Sequence, residues 1–379
     1  MIPPMILVPL QIPGISSSDL VTLLYIASFV VLTVISLVFA TQIQASQMLG
    51  QIGRNLVKFE ALKNNSRKEL LNYLTTYCRV PYPVAEGEVD RIIDYFTIMP
   101  ESMDPAGVVG KIEQVVRLQD DRMRQEIREL ALGADRVQQS IAQNMLEIAS
   151  TLSQMYKLMR HFYLSGQKMK NPYILAQAQM TMPILLKMGE AYFGALDAYK
   201  QGQPMGDGIG EMVAGRLMAG RDKKVIARET VYAKSEYKGR SLFVVKAEGP
   251  IATVGMPDEA AQKLIGDPLN KINMLIMIDA ALKLEGETTG EIAQGVGAAI
   301  GGVGTEKFRI EEAATKNKIP MYAVVVKESL TDAIGVMTKE ISESSEKAVG
   351  IVQNLIERKT RESDTVLIVG VGNTLGIGQ

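Results

Sequence analysis

The chain has 379 residues with 41 basic and 42 acidic side chains, a formal charge of −1. Neither a long basic tract nor a basic patch interleaved with aromatics occurs, so electrostatics make no case for nucleic acid. One Cys, one His and no Trp exclude a disulfide framework and a Cys/His zinc cluster within one chain.

In chain order, residues 1–19 contain no Lys or Arg and therefore lack the basic start of a cleavable secretory signal. Leu20 to Ala40 are twenty-one residues without a charge. At about 1.5 Å of rise per residue such a run crosses a hydrocarbon core of about 30 Å. The expectation is a retained transmembrane helix over 20–41, with a buried core helix as the alternative. The first basic residues beyond it are Arg54, Lys58, Lys63, Arg67 and Lys68, which places the body in the cytoplasm and the short N-terminus outside. The expected location is thus the cell membrane, crossed once.

Residues 42–201 place apolar side chains three and four apart, the period of helices. Breaks are expected at Asn64 to Ser66, Val80 to Val84, Met99 to Pro105 and Lys170 to Pro172, with a capping box from Ser66 to Glu69. The longest helix spans about 106–164, weakest at Gly133. Its stripe of Leu130, Ala134, Val137, Ile141, Ile148, Leu152, Met155 and Met159 fits the core of an antiparallel bundle. The alternative is a coiled-coil face joining subunits of a homo-oligomer, with Asn144 setting the register. Cys78 fits a reduced core thiol. His161 lies in a different helical stretch, so a Cys–His nucleophilic pair has no support.

Residues 202–223 are rich in glycine and suggest a linker. From 224 the period changes. Two alternating runs flank Glu236 to Arg240, as in a hairpin or two adjacent strands. Continuous apolar runs at Ile272 to Ile278, Pro320 to Val326 and Thr365 to Val371 predict strands buried on both faces. Helices are expected over Asp258 to Ile265, Thr305 to Lys316 and Ser329 to Arg361. The fold class is therefore a transmembrane helix, a helical region, and a three-layer α/β domain over 224–379 with a mostly parallel sheet.

In such sheets ligands bind beyond the carboxyl ends of the strands. The segment after the first apolar strand holds Asp279, Glu285, Glu287, Gly295, Gly297, Gly301, Gly302 and Gly304, then Thr305, Glu306 and Lys307. Dense glycine at the start of a helix lets backbone N–H groups meet an anion, with Lys307 or Lys327 as cationic partner. The spacing fits neither a P-loop nor a dinucleotide fingerprint. Alternatively Asp279, Glu285, Glu287 and Glu306 offer oxygen ligands to Mg²⁺ or Mn²⁺, which could activate water. Asn373 and Thr374, after the last strand, would share the same edge. A solvated surface loop is the plain alternative.

Met277 to Gly290, the GVGAAIGGVGTEKF segment and the terminal GVGNTLGIGQ resemble an archaeal membrane-associated family defined only as a domain of unknown function. The resemblance covers essentially the whole chain. It implies an archaeal source and the two-part organisation, and it supplies no reaction. The apolar strand running into GVGN is also similar to the opening of hydrogenase maturation proteases, without the acidic residue expected downstream, so no protease role is implied.

Three functions follow as expectations. The first is a membrane-anchored protein whose α/β domain binds an anionic small molecule or nucleotide, the helices serving oligomerisation or relay. The second is a Mg- or Mn-dependent hydrolase built on carboxylates near Asp279, and the third a structural scaffold. Fold alone does not choose among them.

Overall fold

The computed structural model describes residues 17–95, 108–169, 172–301 and 304–379. Expectations that fall on 1–16, on the breaks near 99–105 and 170–171, and on Gly302 lie outside the described residues.

The chain divides into two units, Met1–Leu56 with Met159–Pro183, and Val57–Leu158 with Ile184–Gln379. The first unit holds the apolar start of helix α1 (Ser17–Thr76). From Val21 this is the one helix among the described residues long and apolar enough to cross a membrane, and its apolar window is wholly unburied. In the same unit Gly53 leaves room for the Tyr163 ring, 3.5 Å from where a Cβ would stand.

The break expected at Asn64 to Ser66 does not occur, because α1 continues to Thr76. Ser66 is not a cap. It is fully buried and its hydroxyl donates to the Lys63 carbonyl one turn back, a bond that lets a serine sit inside a helix. Along the chain α1 is followed by α2 (Tyr82–Ile93), α3 (Val108–Leu130), α4 (Arg136–Met169) and α5 (Pro172–Gln201). The weak point near Gly133 is the gap between α3 and α4.

Much of the predicted stripe is core. Ile141, Ile148 and Leu152 are buried with Leu70, Leu74, Cys78 and Val89, and Leu130, Ala134 and Met155 pack against them. Burial pushes the Cys78 thiol up to about 11. Asn144 is engaged within the chain, donating to the Ala252 carbonyl at 3.0 Å and accepting from the Tyr199 hydroxyl at 3.0 Å.

The stretch read as a linker is instead structured. Gly206–Gly208 form a 3₁₀ turn and Ile209–Leu217 form α6. Glycine is required there by close approach. A Cβ on Gly210 would lie 2.3 Å from the carbonyl oxygens of both Ile278 and Val371. Gly210→Ala is therefore expected to destabilise by about 1–3 kcal/mol or more, as overpacking does. Gly350→Ala on an open helix face should be neutral or slightly stabilising. Equal thermal midpoints for the two variants would contradict this packing.

The remaining elements are β1 (Lys223–Ala227), β2 (Thr230–Tyr237), β3 (Arg240–Ala247), α7 (Pro257–Gly266), β4 (Ile272–Leu282), β5 (Ile292–Val296), α8 (Thr305–Lys316), β6 (Met321–Glu328), α9 (Leu330–Ile334), α10 (Lys339–Lys359) and β7 (Thr365–Gly370). The sheet has seven strands in the order β1-β2-β3-β7-β4-β6-β5. Strands β3, β7, β4 and β6 run parallel, and β1, β2 and β5 are antiparallel additions. One face packs on α6 and α10 through Ile209, Val213, Ile341 and Val352. The other packs on α7 and α8 through Ala260, Leu264, Ile310 and Ala314. The protein thus has a helical region with one candidate span and a three-layer α/β domain.

Candidate functional site

Because the four central strands are parallel, their carboxyl ends share one edge, and the connections leaving it converge there. A cavity of about 370 Å³ opens at this edge. The 3₁₀ turn brings Asp207 to it, β4 brings Asp279 and Ala280, and the segment before α8 brings Ile300, Gly301, Thr305 and Glu306. Val254 and Pro257 follow β3, Val371 and Gly372 follow β7, and α3 contributes Val116. Packing alone imposes glycine at 372, whose φ is +133° and whose Cβ would fall 1.9 Å from the Asp207 carbonyl.

The electrostatics are lopsided. Asp279 is 6% exposed. Its carboxylate accepts the Ala280 N–H at 2.8 Å and the Gly301 N–H. Burial, then the neighbouring Asp207, hold its pKa well above the usual range for aspartate. Burial also raises Asp207, whose carboxylate accepts the Asn373 N–H at 3.1 Å. Glu306 is raised by burial and next by the charge of Asp258.

Behind the edge Glu328, the last residue of β6, is fully buried, and among the described residues neither carboxylate oxygen has a hydrogen-bond partner. Burial and then Asp207, Asp332 and Asp279 raise its pKa to about 8. A carboxyl in this setting holds a proton near neutral pH.

A second cavity of about 390 Å³ shares Val116, Val254, Thr305 and Glu306 with the first. Its arginines are already committed. Arg117 pairs with Glu113 at 2.9 Å and Glu259 at 2.5 Å, Arg228 with Asp120 at 3.2 Å, and Arg124 with Asp120 at 3.3 Å and with Glu229. Such pairs make a wall more than a receptor for a further charge, so the edge cavity is the better candidate site.

Two models of one family cover this architecture. "Protein of unknown function (DUF1512) N-terminal domain" matches residues 25–202, and "Domain of unknown function (DUF1512) C-terminal" matches 205–378. The chain belongs to the DUF1512 family. Neither a curated protein nor a solved structure matches it. The DUF1512 C-terminal match begins just before the 3₁₀ turn, so the glycine-rich stretch falls with the α/β part.

Within that DUF1512 C-terminal part, the sequence-predicted residues separate into two groups. Asp279, Gly301, Thr305 and Glu306 line the edge cavity, and Asn373 lines its neighbour. Gly304 caps α8 in the left-handed conformation, φ 89°. Thr374 is buried, its hydroxyl donating to the Glu248 and Thr253 carbonyls. It locks the tail and does not line either cavity.

The rest lie elsewhere. Glu285 is exposed in a turn, and Glu287 accepts the Leu284 N–H and pairs with Lys327. Lys307 is exposed, 3.9 Å from Glu311. Gly295 belongs to β5, and the Gly297 N–H donates to the Met321 carbonyl. Asp279, Glu285, Glu287 and Glu306 therefore do not gather into one ligand set. Among the described residues no three His, Cys, Asp or Glu side chains gather where they could hold a metal ion. Asp207 and Glu328 were not anticipated. The available signals were an acid between glycines at Gly206 to Gly208 and another two residues after an apolar run.

Proposed function

We propose that this chain is a membrane-tethered binding protein for a small polar molecule, held at the carboxyl edge of its α/β domain. The observation that carries this reading is the edge cavity of about 370 Å³, lined by Asp207, Asp279 and Glu306 beside apolar walls. A few polar groups converging in a largely apolar pocket are what small-molecule sites present, at the place where parallel sheets bind ligands. The uncharged run from Leu20 to Ala40 supports a single span. The basic residues after it support a cytoplasmic body.

The geometry favours binding over metal-dependent hydrolysis, because the carboxylates named for a metal are dispersed. It also changes the ligand expected from the glycine segment. One glycine N–H, that of Gly301, is spent on Asp279, and the two lysines that would have balanced an anion pair with Glu311 and Glu287.

The test uses the full chain in detergent. Its thermal midpoint is followed against nucleotides, phosphorylated and carboxylated metabolites, amines and divalent cations. A ligand of the native state at about 100 times its Kd stabilises by about 2.7 kcal/mol, so a rise in midpoint is expected for one class. Gly301→Met should abolish that rise without lowering the unliganded midpoint, since a Cβ there meets nothing within 4 Å among the described residues and Gly301 lines the cavity. A rise that survives Gly301→Met would place the ligand elsewhere.

A further inference from the structure

We infer that the ligand of the edge cavity is an organic cation, a short aliphatic amine or diamine. The inference rests on the binding reading above and names its ligand class. Asp207, Asp279 and Glu306 line the cavity, and among the described residues no Lys, Arg or His does. None of the three makes a salt bridge among the described residues, although nearly every other acid near α3 does, through Arg117, Arg124, Arg228 or Arg309.

One acid without a positive partner also lies behind the cavity wall. Glu328, fully buried, has no donor for either oxygen, and its carboxylate reaches the turn that carries Asp207, 2.7 Å from where a Gly206 Cβ would stand. Buried carboxylates without a counterion are costly, and a ligand that brings positive charge to the cavity relieves those that line it. An alkylammonium does so with three N–H donors and one charge.

The remaining walls decide between kinds of cation. Val116, Val254, Ile300 and Val371 are apolar, which suits a hydrocarbon stem. A hard divalent ion needs six or more oxygen ligands or retained waters, and the side chains here do not converge in that way. An anion would face three carboxylates, with only backbone N–H groups at the start of α8 in its favour. Because burial raises Asp279, Asp207 and Glu306, ammonium binding must compete with protons, and affinity should rise with pH as these groups ionise.

The experiment is calorimetric titration of the full chain in detergent with 1,4-diaminobutane, its neutral counterpart 1,4-butanediol, inorganic phosphate and ADP. The diamine is expected to bind and the diol not, with affinity increasing with pH. Glu306→Gln and Asp279→Asn should each weaken the diamine by about tenfold or more. Glu285→Gln, at an exposed acid, should leave it unchanged and so excludes general attraction to an acidic surface. Glu306 is the less buried of the two, which keeps one variant informative if the other folds poorly.

Diamine and diol binding alike, or diamine binding insensitive to both cavity variants, would overturn the inference. Binding of phosphate or ADP alone, blocked by Gly301→Met, would overturn the ligand class and leave the site standing. No binding by any compound in this titration or in the wider thermal panel would remove both.

Discussion

Replacing Lys246 by methionine is expected to cost about 3–5 kcal/mol, the range for removing one partner of a buried ion pair. Lys246 is the penultimate residue of β3, on the face covered by α6, and both it and Glu211 of α6 are fully buried. Its ammonium donates to the Ala247 carbonyl at 2.7 Å and stands 4.0 Å from Glu211. Glu211 in turn accepts the Ala247 N–H with both oxygens, at 2.9 and 3.1 Å. Burial pushes the glutamate up and the lysine down, and each partner's charge opposes that push. Without the ammonium, Glu211 keeps the Ala247 N–H but no positive partner against the repulsion from Asp207 and Asp279.

The deficit should depend on pH in a defined sense. A glutamate raised above its unfolded value contributes stability that is complete below that value and lost as pH rises through the folded one. The Lys246→Met deficit therefore shrinks in acid. Lys246→Met with Glu211→Gln should recover most of the loss, since a neutral amide still accepts the Ala247 N–H and a buried pair is often replaceable by neutral groups. Thermal melts of the full chain decide it, with an expected drop of roughly 6–20 °C for the single variant. A loss no larger than that of Lys339→Met, at a highly exposed lysine, would show that the pair is not holding α6 to β3.

The parts of the fold legible in sequence were those where one period dominates. Continuous apolar runs marked β4, β6 and β7, and α8 occupies the residues its spacing predicted. What escaped were elements whose residues are chosen by neighbours. Helix α6 looked like a linker because Gly206, Gly208 and Gly210 are there for close approach to the strand ends, not for flexibility. Strand β5 looked like loop because an edge strand with Gly295 needs only β6 beside it.

The apolar run of β4 ends at Ile278, yet the strand continues to Leu282 because Asp279 to Leu282 still pair with β6. The site was half legible for the same reason. Asp279 follows an apolar run and was visible, whereas Asp207 reaches the site from the 3₁₀ turn before α6, on a connection that only the fold brings to the edge. Thr374 shows the converse. Its place after a buried strand suggested a ligand contact, but its hydroxyl bonds to Glu248 and Thr253. Trimming Gly376 to Gln379 should therefore cost stability as well as binding, since Ile377 is buried and bonded to Thr374.

Glu328→Gln should make the protein more stable in mild alkali than the parent. The parent glutamate is fully buried with no donor to either oxygen, and its pKa is raised from 4.5 to about 8, first by burial and then by Asp207, Asp332 and Asp279. The native state therefore holds a proton that the unfolded chain gives up. That preference contributes stability fully present below about pH 4.5 and lost as pH rises through about 8. At about 1.4 kcal/mol per unit, the swing is on the order of several kcal/mol, reduced by whatever relaxation the turn at Asp207 allows. Glutamine has the same shape and no charge to bury, so its midpoint should stay flatter across this window while the parent's falls. Parallel profiles would mean that Glu328 is paired in solution. A cationic ligand in the edge cavity offers a further discrimination. It would stabilise the ionised carboxylates nearby, so a saturating diamine should lessen the parent's alkaline loss and leave Glu328→Gln little changed in slope.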